Sequence, residues 1–199
     1  MDFLELVKKR SSVREYDSRP VKREEIESCI EAARLAPSAC NLQPWRFIIA
    51  DTPDARNRLC AAMTSGIYGM NSFVKSAPAL AVVTDRAAWP VTIGNAVRDT
   101  KLHLIDIGIA CEHFILRAAE LGIGTCWLGW FSEKAVKKLL ALPKAERVHV
   151  IISMGYPCRC SREQGALHAE DSTEGYPPAG FQSLEKVRKP VSEIRTYAE

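Results

Sequence analysis

The stretch NAVRDTKLHLIDIGIACEHFILRAAEL, residues 95 to 121, carries apolar side chains at helical spacing on more than one face. Leu104, Ile107, Cys111, Ile115 and Ala118 make one stripe, while Ile105, Ile109, Phe114 and Leu116 occupy others. A helix lying on one face of a sheet with its back in water needs only one such stripe. The sequence therefore predicts a long helix in the middle of the fold, with part of its surface against another subunit, and a dimer is expected.

Working outward, Gly122 and Gly124 break this helix and GTCWLGWF (124–131) predicts a strand. Ser132 can cap a helix through about Leu140, and RVHVIISMG (147–155) is a further strand. Upstream, RFIIA (46–50) and ALAVVT (79–84) are branched apolar runs of strand length, separated by a helix from about Asp54 to Thr64. A helix from about Arg23 to Ala36 places Ile26, Cys29, Ile30 and Ala33 on one face and stops at Pro37. Asp2, with Glu5 three residues on, can cap a short first helix whose buried stripe is Phe3, Leu6 and Val7. Pro44 and Trp45 read as core, residues 158 to 182 as a polar surface loop, and residues 183 to 199 as a C-terminal extension.

A chain of 199 residues with 47% apolar content suits a single domain, here 1–199. Its 27 basic and 24 acidic residues are spread along the chain and net only +3, so nucleic acid is not an expected partner. No run approaches the roughly 18 apolar residues that cross a bilayer. The opening MDFLELVKKR has acids where a secretion signal has cations, so no membrane association and a cytoplasmic location are expected. Seven cysteines, an odd number mostly in apolar surroundings, suit reduced thiols.

The chain contains no HExxH, GxSxG, Walker loop or GxGxxG, and His103, His113, His149 and His168 have no mutual spacing that signals a metal. Cys158 and Cys160 form a lone CxC, a weak metal or redox signal beside the reading of an exposed loop; no metal site is expected. What remains is anion binding. VKKRSSVREY (7–16) sets Lys8, Lys9, Arg10 and Arg14 around Ser11 and Ser12 after a helix end, which fits a phosphate cradle or a solvated basic face. Near the other end, Lys186 and Arg188 in KVRKP fall on one side of an extended segment and could share the same phosphate.

RSSVREY (10–16), APSACNLQPW (36–45), LGIGTCWLGWF (121–131) and KVRKP (186–190), in that order, resemble the FMN-dependent nitroreductase family. The resemblance implies an α+β fold with a central mixed, mostly antiparallel sheet flanked by helices, a long buried central helix and an intertwined homodimer. It also assigns sites. Arg10, Ser12 and Arg14 match the family's contacts to the FMN phosphate and ribityl chain, with Ser11 standing where many members have a second Arg. Lys186 and Arg188 match the pair that closes over the same phosphate. Pro37, Ser38 and Asn41 match a segment that reaches the flavin from the other subunit, placing active sites at the subunit interface. Asn71 matches an amide at the pyrimidine edge, and Gly129 and Trp130 match the segment whose backbone amide meets flavin N5. Lys75 is shifted from the pattern and is not included.

The implied activity is that of an NAD(P)H oxidoreductase. Hydride would pass from NAD(P)H through flavin N5 to a nitroaromatic, quinone or other conjugated small-molecule acceptor in a ping-pong cycle, with no side-chain catalyst. A non-catalytic flavin-binding or sensor protein, and divergent flavin chemistry such as reductive dehalogenation, are the alternatives on the same fold.

Overall fold

The computed structural model describes residues 2–85, 101–158 and 189–195. Four strands, β1 (Trp45–Ala50), β2 (Ala79–Asp85), β3 (Gly124–Leu128) and β4 (Val148–Gly155), form one sheet in the order β1-β2-β4-β3. Every pairing in it is antiparallel. The parallel component is a single bridge from Ser12 to Thr125 on the outer edge of β3. The helices are α1 (Phe3–Lys9), α2 (Arg23–Arg34), α3 (Pro53–Met63), α4 (Leu102–Glu120), α5 (Glu133–Leu139) and the short α6 (Val191–Ile194).

Burial follows the strand order. β2 lies inside the sheet and is buried at every position, which explains why ALAVVTD reads as an unbroken run instead of an alternation. On one face α2 and α4 pack over Ala81, Val83, Val150 and Ile152, where Phe47 stacks on Phe114 at 5.3 Å between ring centroids. On the other face Leu59, Met63 and Val136, from α3 and α5, close over Leu80, Val82 and Ile151. The register shifts once, between Val83 and Thr84, whose partners are Val150 and Val148. His149 is the extra residue of that bulge.

The predicted helices and strands are found with ends moved by a few residues; α2, for example, ends at Arg34, before Pro37. Pro44 is buried and Trp45 partly so. For the central helix, the predicted start at residue 95 lies outside the described residues. Residues Gly66–Ser76, where the sequence predicts no element, form successive 3-10 turns.

The first helix differs more. Glu5 does accept from the Asp2 backbone N–H, but Phe3, Leu4 and Val7 stay 64%, 63% and 39% exposed. Of the predicted stripe only Leu6 is partly buried; among the described elements α1 packs chiefly against α4. There Leu102, Leu104 and Ile105 are exposed as well. Among the described residues no helix is long and apolar enough to cross a membrane.

Candidate functional site

After α1 the chain turns at Arg10 and runs along the free edge of β3. The Val13 N–H donates to the Thr125 carbonyl at 2.9 Å, and further on the Asp17 N–H donates to the Tyr156 carbonyl at 2.9 Å. Two glycines permit this. A Cβ on Gly124 would fall 2.6 Å from Val13 Cγ2 and 2.7 Å from Val13 Cβ, and one on Gly155 would fall 2.9 Å from Tyr16 Cδ1. Tyr16 then locks the segment: its hydroxyl donates to the Val13 carbonyl at 2.6 Å and sits 2.8 Å from Ser153 Oγ. Burial pushes this phenol far above its ordinary range, so it remains a donor.

Arg10, Ser11, Ser12 and Arg14 are half-buried on this docked segment. Arg10 has no ion pair or side-chain hydrogen bond among the described residues. Arg14 makes a long, 3.5 Å bond to the Ser12 carbonyl and lies 6.0 Å over the Phe73 ring. Among the described residues neither guanidinium pairs with a carboxylate. The cluster follows the C-terminal end of α1, whose dipole repels anions, so the guanidinium charges and serine hydroxyls must carry any anion binding.

Phe73 belongs to the 3-10 segment that also holds Asn71, and Asn71 Nδ2 donates to the Trp130 carbonyl at 2.5 Å. Trp130 is half exposed and packs on Tyr68 at 5.2 Å between ring centroids. Gly129 faces open space, with nothing within 4 Å of where a Cβ would stand. Gly129, Trp130 and Tyr68 share a cavity of ≈ 360 Å³ with residues from the start of α5 and with His149 of β4. Three stretches far apart in sequence, 10–14, 68–73 and 129–130, thus form one contiguous surface.

Pro37, Ser38 and Asn41 stand elsewhere. Their loop is held by the Ala39 N–H donating to the buried Asp106 carboxylate of α4 at 3.2 Å, and by the Gln43 N–H donating to Ser38 Oγ at 3.0 Å. Cys40, Asn41 and Gln43 all have positive φ, a conformation that costs non-glycine residues energy. Among the described residues no hydrogen bond or ion pair joins this loop to the other candidate residues. Lys186 and Arg188 lie outside the described residues, as do Cys160 and His168.

A model of the nitroreductase family matches residues 7–156, a span that takes in the basic arm, the strained loop, the central helix and the whole sheet. The chain belongs to the nitroreductase family. It is 32% identical over 160 residues to an Archaeoglobus fulgidus protein with a provisional NADH dehydrogenase/NAD(P)H nitroreductase assignment, covering 78% of this chain and 86% of that one. A nitroreductase family protein from Clostridium difficile 630 superposes with a TM-score of 0.72 at 28% identity, over 100% of this chain and 99% of that one. An FMN-dependent nitroreductase from Clostridium difficile R20291 gives 0.64 at 26% identity, over 94% and 98%. The α+β architecture is the nitroreductase fold, and the activity class is that of an oxidoreductase of this family.

Several features of this nitroreductase-family site were not singled out in the sequence. Tyr16 and Ser153 meet only through the fold, and Phe73 and Tyr68 give no motif. Gly124 was read as a helix breaker, whereas its role is to let Val13 approach β3.

Proposed function

We propose that this nitroreductase-family oxidoreductase is an FMN-dependent, NAD(P)H-using homodimer that reduces a small conjugated electron acceptor. The observation that carries the reading is the pair of half-buried guanidiniums, Arg10 and Arg14, held on β3 without a carboxylate partner among the described residues. Half-buried cations lacking acids call for an anion from outside. The remaining residues fit the rest of the cofactor: open backbone at Gly129, an amide at Asn71 and aromatic rings at Tyr68 and Trp130.

In this reading Arg10, Ser11, Ser12 and Arg14 hold the phosphate and ribityl chain, and Lys186 and Arg188 close over the phosphate from the C-terminal segment. Asn71 keeps its second amide N–H and its Oδ1 for the pyrimidine edge, because one N–H is spent on Trp130. Gly129 leaves its N–H approachable, and Trp130 lines the neighbouring cavity. FMN, when bound, supplies hydride chemistry that no side chain here can supply.

Pro37, Ser38 and Asn41 would reach the site from the partner subunit, which agrees with their separation from it within one chain. The exposed Phe3, Leu4 and Val7 of α1, next to Leu102, Leu104 and Ile105 of α4, form the apolar face that a second copy would cover.

The test is the visible spectrum of the purified protein. A flavin spectrum that bleaches under anaerobic NADH or NADPH and returns on adding a quinone or nitroaromatic supports the proposal. A colourless chain that cannot be reconstituted with FMN refutes it, and a flavin that neither nucleotide reduces leaves a carrier or sensor.

A further inference from the structure

The register shift in β4 presents His149 at the end of the sheet where β2 finishes and α4 begins. Its Nε2 lies 3.1 Å from Asp85 Oδ2, and His103 Nε2, from the first turn of α4, lies 3.9 Å from the same oxygen. The three ligand atoms all fall within 4.8 Å of one another. We propose that Asp85, His103 and His149 form a transition-metal site of the class that takes Zn²⁺, joining β2, β4 and the start of α4.

Four observations bear on it. The donor set, two imidazoles and one carboxylate, is one that zinc accepts as three protein ligands with a fourth position left open. His149 Nε2 is shut off from solvent yet makes no hydrogen bond, because its approach to Asp85 is short but misaligned. A buried polar atom in that state calls for a partner.

Asp85 is itself held in place, since its Oδ1 accepts from the Arg147 backbone N–H at 2.8 Å and its Oδ2 is left towards both rings. A carboxylate fixed through its second oxygen is the outer-shell support that metal sites use. Finally, His149 also lines the cavity of ≈ 360 Å³ beside Trp130, so the cluster borders the candidate site. Glu133, nearby in that cavity, is not a fourth ligand: Arg147 holds both its oxygens, at 2.7 and 2.9 Å.

At zinc–ligand distances of about 2.0–2.2 Å, tetrahedral ligands stand about 3.3–3.6 Å apart. The His149–Asp85 pair is already close to that spacing. A movement of His103 by about 1 Å, on a side chain 23% exposed at a helix start, closes the set. The bond would tie the first turn of α4 to the sheet end.

The experiment uses the full chain, stripped with EDTA and dialysed into metal-free buffer, then titrated with Zn²⁺ by calorimetry and with Co²⁺ by visible absorption. Saturable binding of one zinc per chain, with an intense Co²⁺ band of low coordination number, is expected. His103→Gln, His149→Gln and Asp85→Asn should each weaken zinc by about tenfold or more. Absence of saturable binding to the parent chain overturns the proposal. So does unchanged affinity in the His103→Gln/His149→Gln double variant, which would put the zinc elsewhere on the chain. If circular dichroism shows that His149→Gln does not fold, His103→Gln, on the first turn of α4 and outside the sheet, decides alone. Because the readout is metal binding and not turnover, its failure leaves the flavin proposal untouched.

Discussion

Asn71 and Trp130 are joined by one hydrogen bond, from the Asn71 amide to the Trp130 carbonyl at 2.5 Å, across the cleft between the 3-10 segment and the end of β3. Asn71 is the residue at which that segment departs from helical geometry, with φ −90° and ψ 28°, and the bond fixes the departure. Asn71→Ala should lower stability by about 1 kcal/mol and weaken FMN by about tenfold, since the same side chain is proposed to serve both. Chemical denaturation and flavin fluorescence titration read the two effects separately. Lost stability with unchanged FMN affinity would make Asn71 structural alone.

Arg10 and Arg14 should behave in the opposite way. With no carboxylate to abandon among the described residues, Arg10→Ala and Arg14→Ala should each change the stability of the flavin-free protein by only about 0.5 kcal/mol. Each should still cost about 1.5–3 kcal/mol of FMN binding, the range for a charge-assisted hydrogen bond, and the loss should shrink as ionic strength rises. Replacing Arg10 and Arg188 together should strip the cofactor and leave a folded dimer. Full FMN occupancy in that double variant would place the phosphate elsewhere.

Gly124→Ala should destabilise by about 1–3 kcal/mol, the range for overpacking, and should also displace the basic arm. The clash involves Val13 Cβ at 2.7 Å as well as its methyls, so rotation of the valine cannot relieve it. Val13→Ala should therefore rescue the variant poorly, while Val13→Gly should rescue it more fully, a contrast readable in a double-mutant cycle. Equal rescue by both would show that only the methyl groups matter.

The apolar face shared by α1 and α4 predicts the assembly. Leu4→Glu or Ile105→Glu, both at exposed positions, should leave the single-chain fold intact and abolish the dimer in analytical ultracentrifugation. FMN should be lost with it if Pro37, Ser38 and Asn41 act across the interface. A dimer that survives both changes would rest on a different face.

Burial pushes the Cys29 and Cys111 thiols up to about 12 from an ordinary 9.0. The folded state therefore holds these protons more tightly than the unfolded one. Stability from this source is complete below about pH 9 and is lost as pH rises from there to about 12. Thermal midpoints measured across that window should fall with pH, and more shallowly in Cys29→Ala/Cys111→Ala. The exposed Cys40 should react with a thiol reagent in the native protein, while Cys29 and Cys111 should react only on unfolding.

The helices and strands were legible because their periodicities are strong and their stops are explicit: Pro37 after α2, Gly122 after α4, and the unbroken apolar run of β2. Residue types in the basic arm were legible too, as basic side chains around two serines. Their support was not, because it depends on contacts between positions remote in sequence, such as Tyr16 with Ser153 and Val13 with Gly124. The same limit hid the cluster of Asp85, His103 and His149. Spacing along the chain shows no metal pattern there, and only the antiparallel pairing of β2 with β4 and the start of α4 bring them together. The α1 stripe was expected to be buried, yet Phe3 and Val7 stay exposed, since hydropathy marks a residue as apolar without saying what covers it.

The bridge between Ser12 and Thr125 also bears on how the protein is made. The basic arm is synthesised well before the edge it lies on, and β3 needs β4 beside it before it offers that edge. The arm must wait, unattached and cationic, until most of the matched family span has emerged. If the arm holds the cofactor as proposed, its capture is a closing event of folding, and a segment made before the sheet finds its place only after it.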